Sequence, residues 1–240
     1  MRIDKFISDS GVATRKEAAR AARSGGVVVD GVPCRDLSAH IDPERSEVVY
    51  LGRRIDYRRF TYIMLNKPEG YVSATEDSRL PVVTELLPAE LQRTGLFPVG
   101  RLDRDTLGMM ILTNNGTAAH DLLSPRHHVE KKYRFGCDSL LALDAEARFS
   151  EGILLSDGYE CKPAVLAVDA ERCGGVITLT EGKYHQIKRM IAAVGSHVTY
   201  LERISFASIP LDPSLPRGEW RYLTAEEEAT LLSFANKNRQ

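Results

Sequence analysis

The sequence predicts an α+β protein in two parts. Residues 1–59 form a small basic module, and residues 60–240 form a larger domain on a mixed, mainly antiparallel β-sheet. Three observations predict this. Helical spacing and capping signals fill the first 26 residues and then give way to a β-branched hairpin. From Thr61 onward, short apolar runs alternate with Gly/Pro turns, and the few helical stretches do not alternate regularly with strands, which argues against a doubly wound sheet. Charge divides at the same place: residues 1–59 hold 12 Lys+Arg and 9 Asp+Glu, and the rest hold 20 and 24. A basic appendage on a mildly acidic body points to an anion-binding module.

Taken in order, MRIDKFIS places Ile3, Phe6 and Ile7 at helical spacing, and Gly11 ends that helix. Thr14 followed by Glu17 is a capping-box pattern opening RKEAARAARSGG, a second helix that carries Arg15, Lys16, Arg20 and Arg23 and closes at Gly25-Gly26. VVVDGVPC is a hairpin with an Asp-Gly turn, and His40–Gly52 supplies another strand after Pro43. The arginine-rich VYLGRRIDYRRF (49–60) is expected to link the two parts. Beyond it the strands are TYIMLNK, LFPVG, MMILTNNG, KKYRFGC, AVLAV, GVITLTEG and HVTYLERISFASI. The helices are VVTELLPAEL, TAAHDLLS, LLALDAEARFSEG and QIKRMIAAVG.

Composition excludes several classes of function. No apolar run approaches the roughly 18 residues of a membrane span, and MRIDKFISDSG has no signal-peptide character, so a cytoplasmic protein without membrane partners is expected. Cys34, Cys137, Cys161 and Cys173 form no CxxC pair, and the six histidines complete no metal-ligand spacing, so neither disulfide nor metal is expected. With no GxGxxG between a strand and a helix and no GxxxxGK[ST], no cofactor is expected.

Four stretches could carry chemistry. In NKPEGYV (66–72), Lys67 projects from a strand end into an ordinary turn. VGRLDRDTLG (99–108) places Asp103 in a loop entering a buried strand, where Arg101 and Arg104 favour its ionised form, and Asn115-Gly116 marks a hairpin beyond that strand. An ionised carboxylate there serves as nucleophile or base, although a structural ion pair fits the same features. SPRHHVEKKYRF (124–135) interleaves Arg126, Lys131, Lys132 and Arg134 with Tyr133, a composition suited to phosphate contact and base stacking. In LTEGKYHQIKRMIAAVG (179–195), Lys188 and Arg189 stand early in a helix, against its dipole, which calls for a compensating anion or carboxylate.

RIDKFI followed by TRKEAARAARSGGVVVDG resembles the alpha-L RNA-binding motif of a small-subunit ribosomal protein and several RNA-modifying enzymes. That resemblance implies RNA backbone contacts by Arg2, Lys5, Arg15, Lys16, Arg20 and Arg23. KPEGYV, GRLDRDTLG, SPRHHVEKKYRF and EGKYHQIKRMIAAVG, in that order, closely resemble the sequence blocks of bacterial pseudouridine synthases. The branch acting on ribosomal RNA, typified by its small-subunit enzyme, is the most similar. The resemblance implies the pseudouridine synthase fold and isomerisation of a flipped-out uridine in ribosomal RNA, most specifically that of the small subunit, by a monomer without cofactor. It makes Asp103 the catalytic carboxylate and Tyr133 the aromatic that packs on uracil. Lys188 becomes the cation beside the carboxylate, at a place where many relatives carry the bidentate Arg. Arg101, Arg126 and Lys131 are implied to contact RNA. Such an Asp could attack the ribose, attack the base or remove a ribose proton. Two other readings stay open: a large-subunit target, and a non-catalytic RNA-binding ribosome-assembly factor with the same fold. A glycosidic hydrolase would want a second carboxylic acid, for which Asp105 is the neighbour in sequence.

Overall fold

The structure is a computed structural model that describes residues 1–124 and 126–235. It divides into two compact units, residues 1–61 with 84–97 and residues 62–83 with 98–240. The segment 84–97 thus belongs with the N-terminal residues, which nothing in its composition suggests.

In the first unit, α1 (Ile3–Asp9) buries Ile3, Phe6 and Ile7. The Thr14–Glu17 capping box is formed in full at the start of α2 (Arg15–Arg23), satisfying donors that the first turn would otherwise leave open. Ala18, Ala21 and Ala22 form the buried stripe of α2, and small side chains there let the two short helices share one cluster with Val27, Leu37, Val48 and Ile55. The sheet runs β2–β1–β3–β4 from β1 (Val27–Val29), β2 (Val32–Pro33), β3 (Val48–Tyr50) and β4 (Arg53–Arg54). Both hairpins turn on two residues with positive φ, Asp30-Gly31 and Leu51-Gly52, the conformation a tight two-residue turn requires. The expected linker at 49–60 therefore begins as sheet: Leu51-Gly52 folds Arg53-Arg54 back on β3. VVTELLPAEL is not one helix. It divides into a 3₁₀ turn (Val83–Leu86) and α3 (Ala89–Gln92), with Pro88 at the N-cap, because a proline inside a continuous helix would clash and lack its donor.

The second unit holds β5 (Tyr62–Lys67), then, beyond the boundary segment β6 (Phe97–Pro98), β7 (Leu107–Thr113), α4 (Gly116–Leu123), β8 (Lys131–Cys137), α5 (Ala145–Glu151), β9 (Val165–Val168), β10 (Gly174–Leu179), α6 (Gln186–Ala193), β11 (Val198–Phe206), β12 (Ile209–Pro210), β13 (Trp220–Tyr222) and α7 (Ala225–Ala235). Its sheet follows the order β13–β5–β7–β11–β8–β10–β9, antiparallel except where β11 runs parallel to β7. Central β5 and β7 are buried throughout apart from Leu107, which explains their continuous apolar runs in place of alternation. The expected hairpin at Asn115-Gly116 is absent. Asn115 instead caps α4, its side chain accepting from the Ala118 N–H and donating to the Tyr62 hydroxyl. The sequence reading missed α7, although Thr224 and Glu227 carry the same reciprocal capping signature as Thr14 and Glu17. No helix among the described residues is long and apolar enough to cross a membrane.

Candidate active site

The loop 100–106 enters β7 and is held from three directions. Ser73 clamps Leu102, its hydroxyl donating to the Leu102 carbonyl at 2.7 Å and accepting from the Leu102 N–H at 2.9 Å. The Gly70 N–H donates to the Arg104 carbonyl. Lys67, completely buried at the end of β5, donates from Nζ to the carbonyls of Pro68, Arg104 and Thr106 at 3.0, 3.1 and 2.8 Å. Burial pushes the Lys67 amine down to about 8, against the attraction of Asp105 and Asp103. Lys67 is thus no ordinary turn residue: its ammonium ties the KPEG turn to the carbonyls on either side of Asp105. A buried lysine is tolerated only where its donors find acceptors, and three carbonyls supply them.

Asp103 projects from this loop toward the start of α6. Its Oδ2 lies 3.3 Å from Lys188 Nζ and its Oδ1 lies 3.6 Å from His185 Nε2. Arg101 and Arg104, expected from the local sequence to be its charge partners, are exposed; the cation beside Asp103 is Lys188, as the family resemblance implies. Lys188 is closer still to Asp105, with Nζ 2.6 and 2.8 Å from the two carboxylate oxygens. Burial would raise the Asp105 carboxyl, but the Lys188 hydrogen bond and charge outweigh it and hold it below the usual carboxylate range. Burial likewise opposes the Lys188 charge, and Asp105 with Asp103 outweighs it and lifts the amine. Arg189, the next residue, pairs with Asp157. Both cations that stand against the helix dipole therefore have the carboxylates they call for. His185, just before α6, adopts the left-handed region at φ 47°, with Tyr184 stacked on its ring at 3.9 Å.

Tyr133 lies on β8, 8% exposed, in the wall of a pocket of about 240 Å³. Arg101 and Lys183 line the same pocket, and each is two residues from a member of the Asp103–His185 pair. Glu181, also in the wall, accepts from the Tyr159 hydroxyl, the Lys162 N–H and the Gln186 amide, which fixes the end of β10 against α6. Its hydrogen bond pushes the Tyr159 hydroxyl up to about 12. Tyr133, Lys131 and Arg101 line this pocket, while Asp103 and Lys188 pair with each other outside its lining; Arg126 is exposed in the turn before β8. In the first unit Arg2, Lys5, Arg15, Lys16, Arg20 and Arg23 are all exposed, with Arg2 paired to Asp4 and Lys5 to Asp9. The sequence reading placed His185 at the start of α6 without giving it a role, and it missed Arg203 on β11, which is buried in the pocket wall. An arginine within the apolar run of LERISFASI was the available signal for the latter, since such a residue is rarely buried without a purpose. No group of three or more His, Cys, Asp or Glu suited to a metal ion occurs among the described residues.

A family model described as RNA pseudouridylate synthase matches residues 61–193, and an S4 domain model matches residues 1–45. The chain is 45% identical over 236 residues to an uncharacterized RNA pseudouridine synthase of Bacillus subtilis (strain 168), YtzG, covering 97% of this chain and 98% of that one. It is 41% identical over 234 residues to ribosomal small subunit pseudouridine synthase A of Escherichia coli (strain K12), covering 97% of this chain and all of the relative. A crystal structure of a pseudouridylate synthase matches with a TM-score of 0.68 at 35% identity, over 96% of this chain and 99% of the other.

Proposed function

The chain belongs to the RNA pseudouridine synthase family, and on that premise we propose that it isomerises one uridine of small-subunit ribosomal RNA, with Asp103 as the catalytic carboxylate. The target class follows the relative of known name, which matches along its whole length. The observation that carries the proposal is the setting of Asp103: a carboxylate with Lys188 at one oxygen and His185 at the other, on the loop whose Arg101 lines the pocket walled by Tyr133.

The reaction breaks the bond from uracil N1 to ribose C1′, turns the base and joins C5 to C1′. The C5 proton leaves to solvent and N1 takes one up, so composition is unchanged and no electrons are transferred. The uridine must leave its stack to reach a carboxylate in a protein pocket. Tyr133 supplies the surface that replaces the lost stacking, an exchange of about 1–3 kcal/mol. Lys188 holds the Asp103 carboxyl group in place, positioned to act as nucleophile or base. The proton count gives the test. In ribosomal RNA carrying tritium at uracil C5, the wild type releases tritium to water, and Asp103→Asn releases none while still binding the RNA. Tritium release by Asp103→Asn at the wild-type rate would remove Asp103 from its role.

A further inference from the structure

We infer that Arg203 and Lys131 form a uracil-reading wall, whose N–H groups hold the carbonyl oxygens of the base stacked on Tyr133 and thereby select uracil over cytosine. The inference deepens the proposed function and rests on it.

The register of β8 and β11 builds this wall. Tyr133 stands opposite Arg203 and Lys131 opposite Phe206. Residues 131 and 133 share a face by strand alternation. Residues 203 and 206 would point to opposite faces in a regular strand. The register shifts between Arg203 and Ser205, however, and such a bulge re-aims the side chains beyond it. All four residues consequently line the same pocket.

Arg203 is 2% exposed. Its Nε donates to the Met109 carbonyl at 2.6 Å, its guanidinium lies 5.2 Å from the Phe206 ring centroid, and its Nη2 is buried without an acceptor. Leaving such a donor unpaired is costly, and a buried polar group of this kind calls for a ligand. Lys131 spends one hydrogen on the Val129 carbonyl at 2.8 Å, and its ammonium stands 5.8 Å from the Phe206 ring. Burial and the charge of Arg203 push the Lys131 amine down to about 8. Glu181, the acidic residue of the wall, is occupied by Tyr159, Lys162 and Gln186. Arg203 and Lys131 thus line the pocket as donor groups to which Glu181 is not hydrogen-bonded.

A guanidinium and an ammonium donate and never accept. Uracil meets them with two carbonyl acceptors. Cytosine puts an amino donor where uracil carries O4, setting donor against donor. The aromatic walls of Tyr133 and Phe206 suit a planar base better than a phosphate, which would lose its hydration against them. Lys131 then belongs to the base and not to the backbone of the RNA.

The test measures binding of uridine and cytidine 5′-monophosphates to the full chain by titration, with inorganic phosphate as competitor. The wild type is expected to bind the uridine nucleotide at least tenfold more tightly. Arg203→Met is expected to bring the ratio to within about twofold of unity, and Arg203→Lys to retain part of it. Equal affinities in the wild type, displacement of both nucleotides by phosphate alone, or an unchanged ratio in Arg203→Met would overturn the inference. Should Arg203→Met fail to fold in a thermal melt, Lys131→Met must lower the ratio, and an unchanged ratio there overturns it equally. Pseudouridine formation by the wild type decides the underlying function separately, because nucleotide discrimination is read without turnover.

Discussion

Lys67 is the residue on which the geometry of the site depends most, and its hydrogen bonds all go to backbone carbonyls rather than to Asp103. Lys67→Met keeps the stem and removes three donated hydrogens, leaving the carbonyls of Pro68, Arg104 and Thr106 to find other partners. We expect a loss of about 2–4 kcal/mol in urea unfolding, typical for breaking a buried charged hydrogen-bond set, together with a lower kcat as the Asp103 loop loosens. The same residue predicts a pH dependence. Its amine sits at about 8 in the fold and at 10.5 ordinarily. Between those values the unfolded chain holds the proton and the folded chain does not, so stability from this group rises with pH. Below about 8 both states are protonated and the cost of burial is fully present. Unfolding midpoints from pH 7 to 9.5 should therefore climb in the wild type relative to Lys67→Met, and a falling difference would contradict the assignment. In the sequence, Lys67 was indistinguishable from an exposed lysine at a strand end, because two of its three acceptors come from a loop 37 to 39 residues away. Asp103 was visible as a loop carboxylate, and the family resemblance named Lys188 as its cation, which stands 3.3 Å from it; local charge alone pointed instead to the adjacent Arg101 and Arg104, which are exposed.

Two elements carry this arrangement. Strand β7 lies parallel to β11, and at Gly108 (φ 96°) an added Cβ would stand 2.3 Å from the Arg203 carbonyl oxygen. Only glycine permits that approach. Gly108→Ala should cost more than about 3 kcal/mol, through both strain and steric conflict. Asn115→Ala, at the other end of the same strand, should cost only about 1 kcal/mol, the usual worth of an N-cap. Thermal melts of the two variants check the contrast, and comparable small losses would place no special demand on Gly108. Elements were legible where local signals act alone, as in the capping box of α2 and the Asp30-Gly31 hairpin. They were misread where one dipeptide serves two structures. Asn-Gly suits a two-residue turn and an N-cap equally, and only the helix that follows decides between them at Asn115.

The whole chain joins a basic S4-type unit to an enzyme unit of opposite net charge, and each has its own core. Arg15, Lys16, Arg20 and Arg23 are exposed along α2, which leaves their charges open to an anionic partner. Changing all four to Gln should lower the slope of log K against log salt for ribosomal RNA by up to about 3, at roughly 0.7 for each phosphate no longer neutralised. A filter-binding series in salt measures this, and an unchanged slope would count against the unit as an RNA contact. Substitution is cleaner than truncation, because removing residues 1–59 would strip 84–97 of the unit to which it belongs. At this scale the two-part α+β plan was readable from patterning and charge, whereas the assignment of 84–97 depends on contacts between distant segments. The measurement that bears most directly on the central claim is a map of pseudouridines in ribosomal RNA from a strain lacking this protein. One small-subunit position should lose its modification, regain it when the wild-type chain is supplied, and stay unmodified with Asp103→Asn. An unchanged map, a lost position in large-subunit RNA, or restoration by Asp103→Asn would contradict it.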